Sequence, residues 1–129
     1  MKFSLLILAS PYSQQGGLSA LKFAQTCLSQ GHQVYRVFFY HEAVQTASCL
    51  QTPQQDESNL HQLWCDLAEQ HKIDLVTCIA AALKRGVLDE SEAKRYQKDG
   101  FNVRKPFELS GLGQLLDAQI NSDRLITFA

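Results

Sequence analysis

The 129-residue sequence lacks the features that mark several common classes of protein. It contains no apolar run near the roughly 20 residues that a membrane-spanning helix requires. Its 12 basic and 13 acidic residues leave a formal net charge of −1, so no overall field favours nucleic acid or an anionic membrane. We therefore expect neither a membrane nor a nucleic acid among its direct partners.

The sequence also lacks any C-x-x-C motif, although it contains four cysteines. This absence argues against a zinc knuckle and against a thioredoxin-type dithiol. His61 and Cys65 stand four residues apart and could bind a metal as a pair, but no second pair with matching spacing accompanies them. We therefore expect no metal site.

The N-terminal segment MKFSLLILAS admits two interpretations. One lysine followed by a short apolar run could imitate a secretory signal. The run is at the short end of the range for such signals, and a Gly-Gly pair and a helical pattern follow it. We therefore interpret it as a first buried strand of a cytoplasmic protein whose cysteines are reduced thiols.

Strand and helix patterns alternate along the chain. Continuous apolar or β-branched runs predict strands, and apolar residues at i, i+3 and i+4 predict helices. The predicted strands cover 3–9, 34–40, 75–78 and 125–128, and the predicted helices lie between Gly17 and Gly31, near 41–47, from Leu60, at 79–83, at 89–97 and after Ser110. This alternation predicts a single α/β domain over residues 1–129, a three-layer α/β/α arrangement with a mostly parallel sheet of four to five strands.

The C-terminal third is harder to assign. Residues 99–108 are ambiguous between a loop and a short edge strand, because Pro106 cannot donate to a strand ladder. Ser110 is a candidate cap for the last helix. That helix is predicted to carry its apolar residues on one side, namely Leu112, Leu115, Leu116 and Ile120.

A cysteine stands where the third predicted strand meets a helix, in DLVTCIAAALKRG at residues 74–86. Parallel sheets bind ligands outside the carboxyl ends of their strands, and the free N–H groups at a helix start favour a thiolate. Cys78 is therefore the candidate catalytic nucleophile. The alternative is a small core residue, because cysteine is among the most buried residue types. Lys84 and Arg85 lie about two turns further on, and we do not count them as its direct partners.

Other signals are less specific. The loop SPYSQQGGLS could cradle a phosphate, but it matches neither the P-loop nor the dinucleotide fingerprint. Cys27 and Cys65 fall on or beside apolar helix faces and are interpreted as structural, whereas the surroundings of Cys49 assign it no role. Residues 84–105 hold seven basic and four acidic residues, and this local excess could steer an acidic protein partner.

Four segments carry a resemblance to a known family: VFFYHEAV after the second strand, CIAAALKRGVLDESEA around Cys78, FELSGLGQL before the last helix, and DRLITF at the end. Through them the chain resembles, over nearly its whole length, the DsrE/TusD family of sulfur-relay proteins, and the TusD branch most of all. The segment that begins at Cys78 is the most specific of the four.

This resemblance implies that Cys78 carries a persulfide, as a sulfurtransferase would. A TusA-like donor would supply the sulfur, and a TusE/DsrC-like acceptor would pass it toward 2-thiolation of the tRNA wobble uridine. TusB-like and TusC-like subunits would complete a heterohexamer, and no metal or organic cofactor is implied. Sulfur exchange between thiols needs a nucleophilic thiolate and an accessible sulfur, so a second cysteine is not essential.

Three alternatives stay open at the level of sequence. The chain could serve DsrE-type sulfur trafficking in sulfur oxidation, with the same chemistry and a different direction. It could be a non-catalytic assembly subunit of the same complex. The third alternative is a flavodoxin-like protein that binds a nucleotide or a flavin. Separately, Cys49 could also accept sulfur if the chain acts in a relay.

Overall fold

Strands and helices alternate in the computed structural model, which describes all residues from 1 to 129. The strands are β1 (Lys2–Ile7), β2 (Gln33–Phe39), β3 (Asp74–Cys78), β4 (Phe107–Ser110) and β5 (Arg124–Phe128). The α-helices are α1 (Gly16–Ser29), α2 (Leu60–His71), α3 (Ile79–Leu83), α4 (Glu90–Arg95) and α5 (Gly113–Ile120), and a 3-10 helix spans His41–Ala47. Gly31 follows α1 with φ +83°, so it ends the helix as its sequence position predicts.

The five strands form one sheet in the order β4-β3-β2-β1-β5. Every neighbouring pair is parallel, so the predicted parallel α/β fold is confirmed. Because all strands run the same way, their carboxyl ends meet at one edge. β3 lies between β2 and β4, and the segments that follow these three strands therefore surround the end of β3.

Aromatic contacts show which helices cover which face of the sheet. Phe39 packs edge-on against Trp64 of α2, with ring centroids 5.8 Å apart, and Phe3 packs against Phe23 of α1. The opposite face carries Arg36, which donates to Asp117 of α5 at 2.7 Å. The sheet is thus covered on both sides, as the run of apolar residues in its strands predicts.

The C-terminal third differs from the prediction in two respects. The ambiguous segment contains an edge strand, β4, which begins just after Pro106. Ser110 belongs to that strand and caps no helix, because α5 begins at Gly113 and its N-cap, Leu112, provides no side-chain hydrogen bond. The prediction of a Ser110 cap is wrong, since the residue is used to extend the pairing of β4 with β3.

The predicted apolar side of α5 is also not a buried face. Of the four residues predicted for it, only Leu115 packs against the core. Leu112, Leu116 and Ile120 are 50%, 59% and 71% exposed, whereas Ala118 is fully buried. Separately, α4 is less solvated than its charged sequence suggests, because its Glu92 and Ala93 are buried. None of the helices combines the length and the apolar character that crossing a membrane requires.

Candidate functional site

Cys78 is the last residue of β3 and the N-cap of α3. Its backbone is still extended (φ −60°, ψ 118°), and Ile79 begins the helix directly after it. The strand-to-helix junction predicted for this thiol is therefore present. The first N–H groups of a helix have no partner within the helix, so they are available to stabilise negative charge beside Cys78.

An open cleft of about 270 Å³ lies beside Cys78. It is lined by Tyr40, His41, Cys78, Ile79, Ala80, Ala81, Lys84, Arg85, Gly111 and Leu112. Cys78 itself is only 3% exposed, so this cleft is the route that another molecule would have to take to the thiol. A partner must therefore insert a narrow group, and the small Ala80 and Ala81 leave room for one.

The walls of the cleft follow from the order of the strands. Thr77 pairs with Phe39 of β2, and Cys78 pairs with Ser110 of β4. The residues just beyond β2, Tyr40 and His41, therefore stand on one side of the thiol, and Gly111 and Leu112 stand on the other. Successive side chains of a strand alternate between faces, which places Cys78 on the α5 side together with Val76.

His41 has an unusual backbone conformation for a residue with a side chain. Its φ is +51°, in the left-handed region that few non-glycine residues occupy. Its imidazole stacks on the Tyr40 ring, with centroids 4.2 Å apart and planes 11° from parallel. Backbone conformations of this kind cluster at functional sites. Here the rings of Tyr40 and His41 both line the cleft beside the thiol.

The basic residues Lys84 and Arg85, at and just after the end of α3, also line the cleft. Neither forms a hydrogen bond with Cys78, so they are not its direct partners, as expected. Arg85 is neutralised by Glu42, with its Nη2 2.8 Å from Oε1. Lys84 is exposed and forms no ion pair, so it is the uncompensated positive charge of the cleft.

The other three cysteines are also free thiols, in different surroundings. Cys65 is buried, and its Sγ lies 3.6 Å from Nε2 of His61, whose Nδ1 is 2.8 Å from the Thr46 carbonyl oxygen. Burial, together with the carboxylates of Glu69 and Asp66, raises the pKa of the Cys65 thiol to about 11. Cys27 is buried in the core, and burial raises its pKa as well. Cys49 is half-buried.

His61 and Cys65 thus contact each other, and no group of three or more His, Cys, Asp or Glu side chains is arranged to hold a metal ion. The sequence interpretation did not identify Tyr40, His41, Gly111 or Leu112 as site residues. A signal for them existed. Tyr40 and His41 directly follow β2, Gly111 and Leu112 directly follow β4, and the carboxyl ends of parallel strands share an edge. Which strands neighbour β3 could not be read from the sequence.

Comparisons with known proteins agree with this architecture. The profile of the DsrE/DsrF-like family matches residues 1–128. The chain is 48% identical to the DsrE protein of Allochromatium vinosum over 128 residues, which is 99% of this chain and 98% of that protein. It is 44% identical to the sulfurtransferase TusD homolog of Pseudomonas aeruginosa, covering 99% and 97% of the two chains. The sulfurtransferase TusD of an Enterobacter species is also 44% identical, with 99% and 100% covered.

A solved structure shares the fold. The crystal structure of the ychN protein from E. coli superposes with a TM-score of 0.79 and covers 99% of each chain. Its sequence is 18% identical, so the likeness concerns the arrangement of strands and helices alone.

Proposed function

The chain belongs to the DsrE/DsrF-like family, and we propose that it is a sulfurtransferase subunit that carries sulfur on Cys78 as a persulfide. The observation that carries this proposal is the position of Cys78, which ends a strand, begins a helix and lines an open cleft. Relatives named as TusD sulfurtransferases, 44% identical over nearly the full length, support the reaction class.

The proposed transfer uses this chain's own thiolate and no external oxidant. The Sγ of Cys78 attacks the outer sulfur of a donor persulfide, R–S–S–H. The new S–S bond forms as the donor's S–S bond breaks, and the electron pair of the broken bond leaves with the donor as R–S⁻. Cys78 becomes Cys78–S–S–H, and an acceptor thiolate later removes the outer sulfur by the same exchange. Neither step changes the total oxidation state.

Three features of the cleft support this chemistry. Cys78 is the N-cap of α3, so its thiol stands within the first turn of a helix, where N–H groups have no partner inside the helix. Lys84 contributes a positive charge that stabilises anionic sulfur on either partner. The burial of Cys78 keeps the persulfide away from bulk thiols and oxidants, because only a group that enters the cleft can reach it.

The partners are part of the proposal. A TusA-like protein donates the sulfur, a TusE/DsrC-like protein accepts it, and the relay ends in 2-thiolation of the tRNA wobble uridine. TusB-like and TusC-like subunits join the chain in a heterohexamer. We place this relay in the cytoplasm, where thiols are kept reduced. The relatives named TusD support this version.

A second candidate function is favoured by one comparison. The DsrE protein of Allochromatium vinosum is 48% identical to this chain, compared with 44% for the TusD relatives named above. A role in sulfur oxidation would use the same Cys78 persulfide with other partners. The two pathways are distinguished by whether deletion of the gene removes 2-thiouridine from tRNA or impairs the oxidation of stored sulfur.

The test of the common chemistry is persulfide loading. The wild-type chain, incubated with a persulfidated TusA-like donor, is expected to gain roughly 32 Da, the mass of one sulfur atom, on the peptide that contains Cys78. Cys78→Ser should fold with an unchanged circular dichroism spectrum and gain no sulfur. Cys49→Ser is the matched control and should load normally. Full loading of Cys78→Ser would contradict the assignment, because another cysteine would then carry the sulfur. Absence of loading in the wild type would favour a non-catalytic assembly subunit.

A further inference from the structure

Three residues other than glycine have a backbone in the left-handed region, and the end of a helix explains two of them. Lys72 (φ +55°) is the C-cap of α2, and Gln97 (φ +57°) follows the C-cap of α4. Helices commonly end on a residue in this conformation. His41 (φ +51°) instead begins the 3-10 helix, where no helix ends. Its conformation therefore has a different cause.

Tyr40 and His41 place two stacked rings beside the thiol. Tyr40 is still extended and hydrogen-bonded to β1, so it continues β2 by one residue. Because Phe39 pairs with Thr77, Tyr40 stands at the position next to Cys78 on the neighbouring strand. The imidazole of His41 lies parallel to the Tyr40 ring at 4.2 Å between centroids, and both rings line the cleft. The left-handed backbone of His41 therefore coincides with a ring held in the thiol cleft.

The imidazole of His41 is held in place but is not used by the chain. Its ring nitrogens form no hydrogen bond within the protein, whereas those of His32 and His61 bond to Met1 and Thr46. His41 is also exposed, so a molecule that enters the cleft can reach its ring. A ring N–H is therefore available to such a molecule.

The charged side chains of the cleft are less suited to act as a fixed donor. Arg85 already donates to Glu42 and to a backbone carbonyl oxygen. Lys84 is exposed and carries its charge at the end of a flexible chain, so it supplies a positive charge without a fixed direction. Donors that are already in position stabilise a transition state best. His41, which is held by stacking on Tyr40, is such a donor.

We propose that His41 is a second catalytic residue, whose imidazole N–H donates a hydrogen bond to the sulfur that leaves the donor. The proposal rests on the function proposed above, since it concerns the loading of Cys78. A new S–S bond forms between Sγ of Cys78 and the outer sulfur of R–S–S–H as the donor's S–S bond breaks. The electron pair of the broken bond stays on the inner sulfur, which becomes R–S⁻, and the proton stays on the outer sulfur. The hydrogen bond from His41 stabilises the charge that develops on the inner sulfur and so speeds the exchange.

The test uses glycine at position 41 together with added imidazole. Glycine adopts a positive φ freely, so His41→Gly should fold with an unchanged circular dichroism spectrum and leave a ring-sized space on Tyr40. Mass spectrometry of the Cys78 peptide measures its loading by glutathione persulfide, which should be about tenfold slower than in the wild type. The loss is smaller than for an oxyanion donor, because sulfur is a weak acceptor. Added imidazole should fill the space and restore most of the rate.

Two controls separate the N–H donor from the packing of the ring. Thiazole is a flat five-membered ring like imidazole but carries no N–H at neutral pH, so it should not restore the rate of His41→Gly. His71→Ala is the matched control, since His71 is exposed and lies outside the cleft, and it should load at the wild-type rate with or without imidazole. His41→Asn is a second variant, because asparagine also tolerates the left-handed conformation. It has no ring to stack and should load as slowly as His41→Gly.

Three results would overturn the proposal. The first is a wild-type loading rate in His41→Gly. The second is a slow rate that imidazole does not restore, or that thiazole restores equally well, because His41 would then act only through packing. The third is an equal acceleration of the wild type by imidazole, since imidazole would then act on the donor in solution.

Failure of the proposed function gives a different result. In that case the wild-type chain takes no sulfur on Cys78 from glutathione persulfide, and there are no rates to compare. Normal loading of the wild type with no effect of the substitutions at position 41 contradicts only the role of His41.

Discussion

Arg85 donates two hydrogen bonds to a single carboxylate oxygen of Glu42, from Nε at 3.0 Å and from Nη2 at 2.8 Å. Its Nη1 donates to the Ala81 carbonyl oxygen at 3.0 Å. These bonds join the end of α3 to the 3-10 helix that follows β2. Two walls of the thiol cleft are therefore fixed to each other by one side chain.

Removal of Arg85 should cost more stability than neutralisation of Glu42. Glu42 is 52% exposed, so Glu42→Gln should lower the free energy of unfolding by less than about 1 kcal/mol. Arg85→Ala also leaves the Ala81 carbonyl without its partner and should cost about 1–2 kcal/mol. Urea denaturation measures both. Lys94→Ala is the control, because its pair with Glu90 is highly exposed and should contribute no more than about 0.5 kcal/mol. A larger loss in Glu42→Gln than in Arg85→Ala would contradict this account.

Cys65 should be the thiol whose reactivity depends most visibly on high pH. With a pKa of about 11, only on the order of one molecule in a thousand carries the Cys65 thiolate at pH 8. Iodoacetamide labelling of Cys65 in the native chain should therefore rise roughly tenfold per pH unit until the pH approaches 11. Peptide mass spectrometry at several pH values measures this rate. Rapid labelling of Cys65 at pH 7 would show that the site is open and the prediction wrong.

The same pKa has a consequence for stability. A raised pKa in the folded chain means that folding favours the protonated thiol, so this contribution is complete below the ordinary cysteine pKa. It is lost as the pH rises from that value through about 11. Cys65→Ala should lack this component, and its urea midpoint should fall less steeply over the same range than that of the wild type.

Arg36 should be the costliest polar residue to remove. Its side chain is 8% exposed and donates to Asp117 at 2.7 Å and to Asp74 at 3.1 Å. It also donates to the Gln114 carbonyl oxygen at 2.9 Å. Arg36→Met should lower the free energy of unfolding by roughly 2–3 kcal/mol, because these acceptors lose their partner at once. A loss below about 1 kcal/mol would show that the cluster does not hold α5 on the sheet.

The Arg36 cluster also predicts sensitivity to acid. Hydrogen bonds from Tyr35 and Arg36 lower the pKa of the Asp117 carboxyl below its usual range. The stabilisation is present above the unfolded-state pKa of about 4 and is lost as the pH falls through the lower folded-state value. Asp117→Asn should be less stable than the wild type at pH 6, and the difference should shrink toward pH 3. Asp99→Asn, an exposed residue outside any ion pair, should show no such trend.

Most strands and helices were predictable because their patterns are strong. The runs that became β1, β2, β3 and β5 are apolar or β-branched, and the apolar spacing from Leu60 is helical. β4 was ambiguous because it has only four residues and follows a proline. The thiol at the end of β3 was predicted from its position alone, whereas its role as a sulfur carrier stays a prediction.

The sequence by itself determined that Cys78 stands where a parallel strand ends and a helix begins, because the residues on each side of it have a clear local preference for strand or for helix. Only the tertiary structure decided what surrounds the thiol, because the strand order that brings Tyr40 and Leu112 beside it depends on pairing between distant segments. The tertiary structure also decided which way α5 faces. The buried guanidinium of Arg36 needs acceptors, so α5 turns Asp117 toward the sheet and leaves Leu116 and Ile120 in solvent.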